Sequence, residues 1–310
     1  MTRAEFRRLL DADVDGALVF ERILDRERTD RRLAAPHTNL GSGRGRFRIV
    51  LDRLAPLLAD TDRLCDVGIY PGTAPRLIRS LPGGGTVSMT GLGLGISPAF
   101  TAAMSRLNVD LHEVELDLRV PPAGSRHILS CPPGDLGGPF DVCLCTEVIE
   151  HQMHPASLLL GLSRLTRPGG TVLLTTNSVS FAGDLTKLIR GRHNVESLER
   201  SHVVSDSDWR PHIRLYTAGE LRELFERAGF TVLEARYIDN GNVYRGLKGA
   251  ATAAFRALSG VVPHFRSHVL VVARRDREPG PELVAHLHHM AETYGLADAV
   301  SDGAGDVAAT

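Results

Sequence analysis

The chain has 310 residues, 43% of them hydrophobic and 24% charged, with a formal net charge of −1 and 13 histidines. That length holds one large α/β domain with added helices, or two small domains, and the composition is that of an ordinary globular protein with a sizeable core. The near-neutral balance gives no broad basic field and disfavours nucleic acid as a partner. No apolar run is long enough to cross a membrane, and the opening MTRAEFRRLLDADVDG carries charge throughout with no apolar leader segment. The expected setting is therefore cytoplasmic, without a membrane partner. The cysteines Cys65, Cys131, Cys143 and Cys145 lack paired C-x-x-C spacing, so they read as reduced, buried thiols and not as a zinc site.

Phe6, Leu9, Leu10, Val14, Leu18 and Ile23 recur at helical spacing and predict a helix over residues 1 to 35. PHTNLGSGRGR (36–46) reads as a glycine- and serine-rich break, and FRIVLDRLAPLLAD as a second amphipathic helix. Residues 1–58 together form an expected N-terminal helical cap. Strands and helices then alternate. RLCDVGIY is a strand ending in a glycine turn, APRLIRSL a helix, and TVSMTGL a strand. Ser97 and Pro98 are an N-cap and first-position proline for PAFTAAMSRLN. LHEVELDL and FDVCLCTEVI are strands, PASLLLGLSRLT a helix stopped at Arg167-Pro168-Gly169-Gly170, and TVLLTTN a fifth strand. Continuous apolar strands alternating with helices predict a parallel sheet covered on both faces.

Residues 178–216 are polar and irregular around one helical piece, FAGDLTKLIRG. Thr217 and Glu220 form a capping box that opens ELRELFERAGF. TVLEARYI and RSHVLVVARR read as hairpin strands around an alanine-rich helix at 244–259, and ELVAHLHHMAETYGL as a last helix before a frayed tail. The expected domains are the cap at 1–58, a main domain at 59–275 with a lid at 178–216, and a C-terminal helix and tail at 276–310. The fold class is α/β: a Rossmann-like seven-stranded sheet, mostly parallel with an antiparallel last strand, and helices on both faces.

Ligands of such sheets bind beyond the carboxyl ends of the strands. Asp66-Val-Gly68-Ile-Tyr70-Pro-Gly72 occupies that place after the first strand, where glycines admit close backbone approach. With FDVCLCTEVIEHQMHPASLLLGLSRLTRPGGTVLLTTN and HIRLYTAGELRELFERAGFTVLEA it makes an ordered set. Over about residues 60–240 the chain resembles class I S-adenosylmethionine-dependent methyltransferases, whose turn usually reads D-x-G-x-G-x-G. The D-x-G-x-Y-P-G form also resembles members met in sugar, polysaccharide and natural-product pathways. The resemblance implies S-adenosylmethionine as cofactor, with Asp66, Gly68 and Gly72 shaping the turn under its methionine part. It also implies an adenine contact from Asp117-Leu118, while Tyr70 either packs on the cofactor or covers the sheet edge.

The segment Thr90-Gly91-Leu92-Gly93 departs from the family. Gly93 stands where the resemblance implies the carboxylate that accepts from the ribose hydroxyls, and Tyr70 replaces the middle glycine of the turn. Gly91, Gly93 and Glu147 complete the expected cofactor-binding set.

Glu147-Val-Ile-Glu150-His151 follows the fourth strand, and one helical turn would put positions 147, 150 and 151 on one face. Two carboxylates and an imidazole suit Mg²⁺, Mn²⁺ or zinc. The run resembles small-RNA 2′-O-methyltransferases and ubiquinone-pathway O-methyltransferases. The RNA enzymes add a later histidine before an aromatic-threonine segment, and His212 stands in that place, giving Glu147, Glu150, His151 and His212 as the implied metal set. His151 and His212 are also the candidate catalytic bases, since imidazole titrates near working pH. His154, His286, His288 and His289 read as surface residues. The lid residues Lys187, Arg190, Arg192, His202, Trp209 and Arg210 suit an anionic or sugar-like acceptor. The sequence thus points to methyl transfer onto an oxygen of a small polar acceptor. RNA 2′-O-methylation and a non-catalytic scaffold of the same fold remain open, as does the oligomeric state.

Overall fold

The computed structural model describes residues 39–192, 212–240 and 257–297, together with Ala4. The predicted first helix, most of the 244–259 helix and the tail lie outside the described residues. One mixed sheet organises the rest, in the order β4-β3-β2-β1-β5-β6-β8-β7. Its members are β1 (Arg63–Val67), β2 (Ser88–Gly93), β3 (Val109–Glu115), β4 (Arg126–His127), β5 (Phe140–Thr146), β6 (Thr166–Asn177), β7 (Phe230–Ile238) and β8 (His268–Arg275). β1 to β6 pair in parallel, whereas β8 runs antiparallel to both β6 and β7. The sheet has eight strands and not the expected seven. The addition is the two-residue β4, too short to show as a period in sequence.

Helices cover both faces. On one side α1 (Asn39–Leu54), α2 (Thr73–Arg79) and α3 (Pro98–Ser105) bury Leu51, Leu54, Leu77, Ile78, Phe100 and Met104 against Leu64, Met89 and Leu144. On the other side α4 (Pro155–Leu165), α6 (Ala218–Arg227) and α7 (Pro281–Thr293) pack Leu158, Leu162, Phe225 and Leu287 against Val67, Cys143 and Val271. A short helix, α5 (Ala182–Ile189), follows β6. Along β1, residues 142–145 of β5, β6 and β8, apolar side chains fall alternately on these two layers, so these strands are buried on both faces. The four cysteines are free and buried.

The caps form as their residues dictate. Ser97 Oγ accepts from the Phe100 amide at 3.1 Å with Pro98 at the first helical position, and Thr217 with Glu220 closes a reciprocal capping box. The expected break at 36–46 is corrected: α1 runs through NLGSGRGR. Gly45 explains why, because a Cβ there would sit 2.7 Å from the Asn240 backbone. The glycine serves helix-to-loop approach, and its N–H donates to the Asn240 carbonyl at 2.8 Å. Arg167-Pro168-Gly169-Gly170, expected as a helix stop, lies inside the long strand β6. Among the described residues no helix is long and apolar enough to cross a membrane.

Candidate active site

The turn after β1 is drawn toward two neighbouring strand tips. The Gly68 and Ile69 N–H groups both donate to the Leu92 carbonyl of β2, at 2.8 and 3.1 Å. Gly68 has φ +80°, and a Cβ there would stand 2.2 Å from Cγ2 of Val148, just beyond β5. The turn therefore lies directly against the segment that carries Glu147 and Glu150. Gly72, at φ +82°, is the N-cap of α2. Tyr70 is 42% exposed, and its ring centroid lies 5.6 Å from that of Phe100. Asp66 sits inside β1, paired in register with Gly91 and Leu144. It is 3% exposed, and burial pushes its carboxyl up to about 7.

Two expected cofactor contacts have other work. Gly91 is buried, and a Cβ there would stand 2.1 Å from Cδ1 of Ile69 and 2.8 Å from Cδ2 of Leu111. Its bareness lets the glycine turn pack down on β2, so it is a packing residue. The Asp117 carboxylate is fully buried and saturated. Its oxygens accept from the Leu118, Met153 and His154 amides at 3.0, 2.8 and 2.8 Å and from Arg119 Nε at 3.1 Å. It pins the segment before α4 to the end of β3. Leu118 is 3% exposed and packs in the core. Gly93 is different: a Cβ there would meet only Ile69 Cγ2, at 3.7 Å.

The Glu147–His151 run does not form the expected single helical turn. Glu147 has φ +58°, and only Ile149–His151 is helical, as a 3₁₀ turn. The positive φ sends the Glu147 carboxylate back along the sheet edge. There it meets Arg46 of α1 at 2.9 Å and His268 of β8 at 3.1 Å, and accepts from Thr175 Oγ1 at 3.0 Å and Asn177 Nδ2 at 3.2 Å. Burial alone would raise this carboxyl, but Arg46 and His268 overcome it and hold the group well below the usual carboxylate range. Glu147 is thus a mostly buried ion-pair hub, and it stands outside the cluster of ligand atoms formed by Glu150, His151 and His212.

Glu150, His151 and His212 do come together, each offering a ligand atom within 4.8 Å of the others. The Glu150 carbonyl accepts from the Ile213 and Arg214 amides at 2.7 and 3.3 Å, and Tyr216 donates to the Ile149 carbonyl at 3.3 Å. These bonds bring His212 beside His151, with ring centroids 4.7 Å apart. Glu150 is fully buried and accepts from Thr176 Oγ1 at 2.7 Å and Asn177 Nδ2 at 3.2 Å. Burial first, and the Glu147 charge second, push its carboxyl up to about 8.

Of the cationic lid, Lys187 pairs with Asp184 at 2.5 Å, and Arg190 and Arg192 are exposed. His202, Trp209 and Arg210 lie outside the described residues. His154 is half-buried against the Tyr294 ring, 5.2 Å away, and so is not the surface residue expected. His288 is likewise half-buried, while His286 and His289 are exposed. Arg46, His268 and Asn177 carry no motif of their own in the sequence. Asn177 was findable as the polar end of an apolar strand, whereas Arg46 and His268 need the tertiary fold to meet Glu147.

Residues 42–235 match the methyltransferase domain family. Among curated proteins, the chain is 30% identical over 131 residues to a ubiquinone biosynthesis O-methyltransferase of Pseudomonas paraeruginosa, covering 41% of this chain and 49% of that one. It is 35% identical over 78 residues to the protein of that name from Methylococcus capsulatus, covering 22% and 33%. The chain thus spans between a third and a half of these relatives' length. Among solved structures, a 1,6-didemethyltoxoflavin-N1-methyltransferase from Burkholderia thailandensis with bound S-adenosylhomocysteine covers 89% of this chain and 91% of its own, at 15% identity and a TM-score of 0.44. An N-methyltransferase from Bradyrhizobium japonicum in complex with S-adenosylhomocysteine covers 83% and 98%, at 14% identity and a TM-score of 0.43.

Proposed function

The chain belongs to the methyltransferase domain family, and on that premise we propose that it moves a methyl group from S-adenosylmethionine to an oxygen of a small polar acceptor, sugar-like or of natural-product type. The observation that carries this reading is the contact between two loops. The Gly68 turn touches Val148, two residues before Glu150, so a cofactor on the turn and an acceptor at Glu150, His151 and His212 would share one cleft.

The sulfonium methyl is already activated, and its transfer is an in-line displacement. What the protein must add is alignment and removal of the acceptor proton. His151 or His212 takes that proton on this reading, with the neighbouring imidazole and Glu150 orienting it. The same three residues form a donor set of one carboxylate and two imidazoles, which suits zinc or Mn²⁺ better than Mg²⁺. A divalent cation held there would instead orient the acceptor hydroxyl and lower its pKa, in place of a histidine base. A cytoplasmic location belongs to the same proposal and rests on the four free thiols.

The position of His212 beside Glu150 and His151 favours one second reading, 2′-O-methylation of RNA, which the net charge of −1 weighs against. The test is a calorimetric titration with S-adenosylhomocysteine, followed by methyl transfer to a panel of hydroxylated small molecules and to a short RNA. Heat of binding with transfer to a small molecule, lost in both His151→Ala and His212→Ala, supports the reading. No heat and no thermal shift would sink it in favour of a non-catalytic scaffold.

A further inference from the structure

A ribose presents two adjacent hydroxyl donors, and one carboxylate can accept from both. The tip of β2 has no such group, because Gly93 carries no side chain. Resting on the cofactor reading above, we propose that Glu113 of β3 holds the ribose diol from the next strand over.

Glu113 is the register partner of Gly93 in the parallel ladder, as Leu111 is of Gly91. Register partners project from the same face of a sheet, and alternate residues share a face. The face is fixed by Ile69 of the glycine turn. A Cβ at Gly91 would meet both Ile69 and Leu111, and a Cβ at Gly93 would meet Ile69 alone. Glu113 therefore stands on the side of the sheet over which the glycine turn passes. Its Oε1 accepts from the Ile96 amide at 2.8 Å, in the loop leaving β2. That bond draws the carboxylate toward the neighbouring strand tip. The side chain is exposed, and Oε2 has no hydrogen-bond or ion-pair partner among the described residues. A free acceptor oxygen thus lies beside the one strand tip where a glycine leaves room, so the acid is displaced by one strand and not lost.

The test uses calorimetric titration of the full chain with S-adenosylhomocysteine and with its 2′-deoxy analogue. Glu113→Gln keeps an oxygen for the Ile96 amide and removes the charge, so the melting temperature should hold. We expect this variant to bind S-adenosylhomocysteine roughly tenfold or more weakly, the usual scale for lost charge-assisted bonds, and to lose less with the deoxy analogue, which keeps one of the two hydroxyls. Adding Gly93→Asp, which the 3.7 Å clearance to Ile69 accommodates, should restore much of the loss. Equal binding of S-adenosylhomocysteine by parent and Glu113→Gln would overturn the assignment, as would an equal loss for both ligands. A parent chain that binds neither ligand would overturn the cofactor reading itself, a result distinct from either.

Discussion

Replacing Asp66 with Asn should flatten one defined part of the protein's pH–stability curve. Asp66 lies within β1, 3% exposed, between Gly91 and Leu144, and burial pushes its carboxyl from 3.8 up to about 7. The folded chain then holds a proton that the unfolded chain releases near pH 4. Between about pH 4 and 7 the native state binds more protons than the unfolded one, so Asp66 makes stability fall as pH rises. Above about 7 both states are ionised and the slope from this group ends. A shift of about three units corresponds to at most about 4 kcal/mol across that window. Urea unfolding of the ligand-free parent and of Asp66→Asn at pH 4.5, 5.5, 6.5, 7.5 and 8.5 gives a difference curve in which other groups cancel. The variant should gain on the parent steadily up to about pH 7 and hold its gain beyond. A flat difference curve, or one of opposite slope, would refute the burial argument.

Three other outcomes are expected. Arg46→Met should lower the unfolding free energy by about 2 to 3 kcal/mol in chemical denaturation, because it leaves the mostly buried Glu147 charge with His268 as its remaining ionic partner; adding Glu147→Gln should recover much of the loss. Gly68→Ala should cost about 2 kcal/mol or more in the same assay, and Val148→Ala should relieve only the steric part, since the φ of +80° stays unfavourable for alanine. Electron paramagnetic resonance of added Mn²⁺ should show binding lost in Glu150→Gln and kept in Glu147→Gln; loss in both would return Glu147 to the ligand set.

The sequence and the structure agree where a signal is local and repeated. The apolar strands, the Ser97 and Thr217 caps and the glycine turn are each written within a few neighbouring residues, and they appear as expected. Gly45 misled because its reason lies 195 residues away, at Asn240. Glu147 misled for a related cause. Its spacing to Glu150 is that of one helical turn, but a positive φ and the attraction of Arg46 and His268 turn it elsewhere. Asp117 fits an adenine-binding pattern by position, yet four donors from its own fold consume it. Pattern identifies which residues reach the sheet edge; competition among them for partners decides what each does there.

The placement of β8 has a consequence for how the chain assembles. β7 is made some thirty residues earlier, yet its ladder partner is β8, which also holds β6 on its other side. Until β8 is synthesised, β6 keeps an open edge and β7 has no ladder to join. The same late strand delivers His268 to Glu147. A growing chain can thus form the β1–β6 part of the sheet first, but it gains its outer two strands and His268 as a partner for Glu147 together, once β8 is made.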